Sequence, residues 1–223
     1  MNNNTKFRRT VSLLACTFLA TACASPPKAP ASWDGLQLQP GKGFTAVYTR
    51  PGVEFRDYRS VMLEPVEVSF DKQWSAERAR NDLSQRFTPE ALEAIDAQMA
   101  ETFRRIFTAE LRRGGYAIVD KPDGNTLRIR PSLVDIYINA PVDISPGHPG
   151  TYLVEAARMT LVMELRDGPT GQLLARVVDQ KAGASTGSVE ISDSVAETPA
   201  FRSAVTDWAT QLRGGLDEIN GTK

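Results

Sequence analysis

Residues 157–183 read ARMTLVMELRDGPTGQLLARVVDQKAG, and the fold is decided there. Met159, Leu161, Met163 and Leu165 fall on one parity; Thr160, Glu164 and Arg166 fall on the other, with Val162 the one apolar exception. A period of two is that of a strand with one buried face. The segment Asp167-Gly168-Pro169-Thr170-Gly171 breaks the pattern, and a second apolar run follows over residues 172–181. Two such runs around a five-residue connection holding Gly and Pro predict a β-hairpin. The second run is apolar on both parities (Leu173, Ala175 and Val177; Leu174 and Val178), which predicts a strand near the middle of a sheet.

Working upstream, Thr126 opens another strand. Its apolar parity changes from Leu127 and Ile129 to Val134, Ile136 and Ile138, with Pro131 at the switch, so a bulge is expected at Pro131. Residues 116–119 read as a short strand. Before them, Thr88-Pro89 opens the strongest helix: Thr caps free N–H groups, and Pro at the first helical position loses no hydrogen bond. Leu92, Ile95, Met99, Phe103, Ile106, Phe107 and Leu111 form one apolar stripe, closed by Arg112-Arg113 and Gly114-Gly115. At 1.5 Å per residue this helix is about 37 Å long. A short helix is expected over residues 76–85, and residues 60–70 read as a strand with a bulge at Glu64-Pro65. Residues 33–53, rich in Gly and Pro, read as an irregular lead-in plugged by Trp33, Phe44 and Tyr48.

Downstream of the hairpin, residues 184–197 are small and polar. Thr198-Pro199 repeats the helix opening, and Phe201, Val205, Trp208, Leu212, Leu216 and Ile219 make a second stripe. Gly214-Gly215 inside it costs about 1 kcal/mol each against Ala, so fraying or a very close neighbour is expected there. Strand, long helix, two strands, hairpin and helix predict a two-layer α+β sandwich: a mixed, mostly antiparallel sheet with two long helices on one face.

The amino terminus speaks to location. Lys6, Arg8 and Arg9 precede a short apolar stretch ending in small residues, the layout of a signal peptide over residues 1–22. The stretch is shorter than the ~20 residues of a membrane-spanning helix. Ala20-Thr21-Ala22-Cys23-Ala24 resembles a bacterial lipobox, with Ala20 departing from the usual leucine, and Cys23 is the expected lipidation site. Leu13-Leu14-Ala15-Cys16 also fits the letters but leaves too few apolar residues after Arg9. Lipidation uses a cysteine that would otherwise be an odd unpaired thiol in an oxidising compartment. More than one buried acyl chain gives stable anchoring. Ala24, in place of aspartate, resembles the pattern of outer-membrane lipoproteins. Residues 23–32 are Pro-rich and read as a tether, leaving 33–223 as a single periplasmic domain. Removing Lys6, Arg8 and Arg9 from 26 basic residues leaves 23 against 27 acidic ones, without a basic block. Nucleic-acid binding therefore has no electrostatic support.

The chain resembles the bacterial lipoprotein family of domain of unknown function 3313. The resemblance rests on Phe55-Arg56-Asp57-Tyr58-Arg59, Val61-Met62-Leu63-Glu64-Pro65-Val66, Glu164-Leu165-Arg166-Asp167 with Thr170-Gly171, Ala175-Arg176-Val177-Val178-Asp179, and Trp208-Ala209 with Leu212-Arg213. It implies an envelope location and a fold, without an established activity. The layout is also similar to lipoproteins of anticodon-binding-like α/β fold.

No pattern points to catalysis. Gly183-Ala184-Ser185-Thr186-Gly187 has the letters of a nucleophile elbow, but no helix pattern follows and the lone histidine, His148, precedes Ser185. One histidine, beside Asp143, and no remaining thiol cannot build the usual zinc sites, so no metal and no cofactor are expected. Glu64, Glu67, Asp96 and Glu101 read as solvated carboxylates, and Asp179 as a structural partner of Arg176 or Lys181. Gly41-Lys42-Gly43 lacks the spacing of a phosphate loop. The expectation is a non-enzymatic lipoprotein, held to the outer membrane through Cys23 and facing the periplasm. It would act as a structural or interaction module that docks to an envelope protein or to itself. The alternative is a small-molecule, lipid or glycan binder with its pocket under residues 139–150.

Overall fold

In the computed structural model, residues 29–40, 43–80, 87–139, 155–182 and 199–221 are described. Cys16, Cys23, Gly41-Lys42, Asp143, His148 and Ser185 lie outside them, as do the signal segment, the 140–150 loop and the 184–197 stretch. The strands are β1 (Ser32–Trp33), β2 (Leu36–Gln39), β3 (Ala46–Thr49), β4 (Ser60–Leu63), β5 (Glu67–Phe70), β6 (Ala117–Ile118), β7 (Thr126–Asn139), β8 (Glu155–Asp167) and β9 (Leu173–Ala182). The helices are α1 (Lys72–Arg80), α2 (Pro89–Arg113) and α3 (Pro199–Asn220).

The hairpin is β8–β9, paired from Arg158↔Ala182 to Arg166↔Leu173. Its loop is fixed by Gly168, where an added Cβ would stand 2.5 Å from the Thr126 carbonyl oxygen. The sheet runs β1-β2-β3-β9-β8-β7-β4-β6, with β5 also on β7, so β9 is interior as its two apolar parities predict. Pairs β1–β2, β2–β3, β3–β9, β7–β8 and β8–β9 are antiparallel; β4–β6, β4–β7 and β5–β7 are parallel. The fold is α+β, and α2 and α3 share one face. Met99, Phe103, Phe107 and Leu111 of α2 form one buried cluster with Phe201, Val205 and Trp208 of α3. Leu127, Ile129, Leu133, Leu161, Met163 and Val177 of the sheet complete it. Thr88 caps α2, its Oγ1 accepting from the Ala91 N–H at 3.3 Å.

Several expectations change. Residues 33–53 are not irregular: Leu36-Gln37-Leu38-Gln39 alternates and pairs with β3, which joins β9. Tyr48 is buried there, whereas Trp33 is 39% exposed. The 76–85 helix starts earlier, at Lys72, because Asp71 Oδ1 accepts from the Gln73 and Trp74 N–H groups and caps it. The strand over 60–70 is interrupted at Glu64-Pro65-Val66. Leu63 pairs with Ile129 and Glu67 with Ser132, so β4–β5 spends one residue more than β7, which accounts for its parity change. Pro131 is in register with Met163 and does not bulge. It falls opposite the β4–β5 break, where its missing N–H is tolerated. The β7 irregularity comes later, at Asp135 (φ 54), between the pairs Val134↔Thr160 and Tyr137↔Arg158. Finally, α3 continues through Gly214-Gly215, and a Cβ added at either would meet nothing within 4 Å among the described residues. Neither fraying nor a close neighbour explains the pair, and Ile219 is 47% exposed.

Candidate functional site: the helix-free face of the sheet

Side chains on the odd positions of β8, and Ala175, Val177 and Asp179 of β9 past the irregularity at Leu174, enter the core. The even ones beyond it stand on the opposite face, where among the described residues α1 reaches only the end of β7, its Glu77 accepting from the Tyr137 hydroxyl. A row of alternating charge crosses that face. The Asp34 carboxylate, at the turn between β1 and β2, is 2.8 Å from the Arg176 guanidinium of β9. Arg176 is 2.7 Å from Glu164 of β8. Glu164 is directly opposite Arg130 of β7, which is 2.5 Å from Glu67 of β5. A second pair of cations lies beside this row. Arg166 also donates to Glu164, at 2.7 Å, and Arg128, opposite Arg166, pairs with Glu64 at 2.5 Å. Like charges facing each other across strands destabilise a sheet, and here each arginine has its own carboxylate.

The row is held firmly at Arg176. Its side chain is buried, with the Trp33 ring 4.1 Å above the guanidinium. Burial alone would lower the Arg176 pKa, but Glu164 and Asp34 outweigh it and raise it. Burial would likewise raise the Glu164 carboxyl, yet the hydrogen bonds from Arg176 and Arg166 hold it below its ordinary value. Between the row and the Arg158–Asp71 pair (2.9 Å) lies a patch of short side chains: Ser132, Val134, Val162 and Val178 are half-buried, and Thr160 is buried. The face thus has a small, half-buried apolar centre with ion pairs on its borders.

The core face carries buried charge as well: Glu110 of α2, paired with Arg213 at 2.8 Å, and Asp179 of β9. Asp179 accepts from the Thr45 N–H (2.9 Å), the Thr45 hydroxyl (2.6 Å) and the Trp208 indole N–H (2.8 Å), with Lys181 at 3.9 Å. Lys181 is thus its ionic neighbour. Arg176 is not, because an offset of three puts the two on opposite faces. Glu64, expected to be solvated, is largely covered and paired with Arg128, whereas Glu67 and Glu101 are exposed as expected, each beside an arginine. Burial raises the Asp96 carboxyl, with Glu93 adding to it. Among the described residues no group of three or more His, Cys, Asp and Glu could hold a metal, and no helix is long and apolar enough to cross a membrane.

At the β2–β3 edge, on the helix side, an open cleft of about 330 Å³ runs beside α3. Phe44, Val47, Phe55, Leu216 and Ile219 line it, and Gly215 forms part of its wall. Sequence reasoning missed both features. The charge row joins Asp34 to a partner 142 positions away, which no local pattern shows; the glycine pair in α3 was the one available sign of the cleft.

The family model described as "Protein of unknown function (DUF3313)" matches residues 28–212. The chain belongs to this family. No curated protein matches it. Among solved structures, this DUF3313 chain is similar to a PelC dodecamer from Paraburkholderia phytofirmans, at 12% identity and a TM-score of 0.38, covering 74% of this chain and 96% of that one. It is similar to a minor lipoprotein from Acinetobacter baumannii, at 11% identity and a TM-score of 0.31, covering 72% and 94%. A putative neuraminyllactose-binding hemagglutinin homolog from Helicobacter pylori matches at 10% identity and a TM-score of 0.34, covering 76% and 88%.

Proposed function

We propose that this DUF3313 chain is a periplasmic lipoprotein, anchored to the outer membrane through Cys23, that works by docking an envelope protein rather than by catalysis. The observation that carries the reading is the helix-free sheet face. Its ion pairs are already formed, so little side-chain freedom is lost when a partner covers it. Its centre of half-buried Val134, Val162 and Val178 offers apolar area inside a polar border, the anatomy of a protein interface. The same arginines support the non-enzymatic reading, because carboxylates fixed by guanidinium groups are poor proton acceptors. The lipobox at Cys23 supports the anchor.

The test is photo-crosslinking in intact cells. A photoreactive residue at Val162 is expected to give a discrete adduct with one envelope protein, or with a second copy of this chain. The same residue at Lys121, on the far turn after β6, is expected to give none. Adducts equal at both positions, or absent at Val162, refute the docking face.

A further inference from the structure

The cleft beside α3 needs an occupant that the helix-free face does not supply. Its apolar wall, the open space that a Cβ added at Gly214 or Gly215 would enter among the described residues, and the 47% exposure of Ile219 leave apolar surface facing outward at one edge of the sheet. Where the chain enters the domain identifies what faces that edge. The Leu38 N–H donates to the Ala31 carbonyl at 3.0 Å, continuing the β1–β2 register past Ser32↔Gln37. Ala29 packs on the cluster of Leu36, Ala46 and Tyr48. Residues 29–31 therefore run back along β2 towards Gln39 and Pro40, which themselves line the cleft. Cys23 is six residues before Ala29, a reach of at most about 20 Å.

We propose that the β2–β3 edge, with the mouth of the cleft and Ile219, rests on the lipid surface to which Cys23 is anchored. The proposal rests on the anchor reading and adds an orientation to it. A tether this short holds the edge within one tether length of the bilayer, at high effective concentration, so modest apolar contact suffices. The charges at the mouth fit an uncharged lipid surface. Among the described residues at the mouth, Glu54 and Arg56 pair with each other at 3.6 Å, and Glu218 adds a negative charge without a basic cluster to attract anionic headgroups. Contact is therefore through apolar burial and is insensitive to salt. Standing on this edge, the domain leaves its helix-free face open to the periplasm.

With Cys23 acylated, the mature chain has no thiol, so a single introduced cysteine can carry an environment-sensitive fluorophore. The reporter goes at Glu218→Cys, beside the exposed Ile219, with Lys121→Cys as control at the opposite edge. The lipidated protein is reconstituted into vesicles of zwitterionic phospholipid, and the Cys23 modification is read by intact mass. The reporter at 218 is expected to shift to shorter wavelength and lose access to an aqueous quencher, equally at low and high salt. The reporter at 121 stays in water. Adding Ile219→Asp, a change at an exposed position that spares the core, returns the 218 signal towards water. An acylated protein whose reporters at 218 and 121 are equally quenched overturns the docking and leaves the anchor intact. An unmodified Cys23 overturns both.

Discussion

Replacing Asp179 by Ala removes the acceptor for three donors on two different elements. The Thr45 N–H and hydroxyl hold the segment leading into β3, and the Trp208 indole N–H holds α3 to β9. Trp208 is 0% exposed, so its N–H cannot turn to water. A hydrogen bond to a charged group contributes about 1.5–3 kcal/mol, and a buried donor left without an acceptor costs about 1–3 kcal/mol. The three losses overlap, since the Thr45 groups are only partly buried and can rehydrate. The expected destabilisation is therefore about 3–5 kcal/mol, the range for breaking a buried charged contact. Asp179→Asn keeps one acceptor oxygen and turns an N–H₂ towards the other donors, so about half that loss is expected. Urea unfolding followed by tryptophan fluorescence measures all three proteins. Trp208→Phe supplies the second arm of a double-mutant cycle, with an expected coupling of about 1–3 kcal/mol. A loss under about 1 kcal/mol for Asp179→Ala, or additivity with Trp208→Phe within about 0.5 kcal/mol, refutes the reasoning.

Trp208→Ala should cost about 3–5 kcal/mol in the same assay, because the largest buried ring at the α3–sheet contact leaves a cavity. Glu164 titrates below its ordinary 4.5 in the folded chain. Between its folded value and 4.5 the unfolded chain binds more protons, so this group's stabilisation is present above 4.5 and is lost as the pH falls through its folded value. Glu164→Gln is therefore expected to flatten the acid limb of the urea midpoint against pH, with a lower plateau at neutral pH; an unchanged acid limb counts against the ion-pair row.

The strongly periodic segments were legible from local pattern. The β8–β9 hairpin and the stripe of α2 each bury one face, and a buried face writes its period into the sequence. Pro131 misled because parity was counted across Val134, which stands on the outer face and is only half-buried; the core parity runs through Leu133 to Ile136, and Asp135 makes the turn between them. Residues 33–53 were misread because two-to-four-residue strands between glycines carry too few positions for a period to show. Their order comes from β9, a partner far along the chain. Ile219 shows the limit of stripe reading, since an apolar residue on the correct helical step can still sit past the edge of what covers it. The charge row was hidden for a different reason. Charges on a sheet face follow the period of the strand but not the identity of the neighbour, which is set by topology.

The pairing of β3 with β9 also has a consequence in time. Thr45 and Asp179 are 134 positions apart, and among the described residues β3 pairs with β9 and the short β2 alone. The chain is made from its amino terminus, while non-local pairings form late. β7, β8 and β9 can assemble as a local meander, but β1, β2 and β3 have no template until β9 is in place. For most of the chain's synthesis the residues from Ala29 to Thr49 thus have no sheet to join. Any enzyme that works on the chain ahead of Ala29 meets it before the sheet edge that will hold it exists.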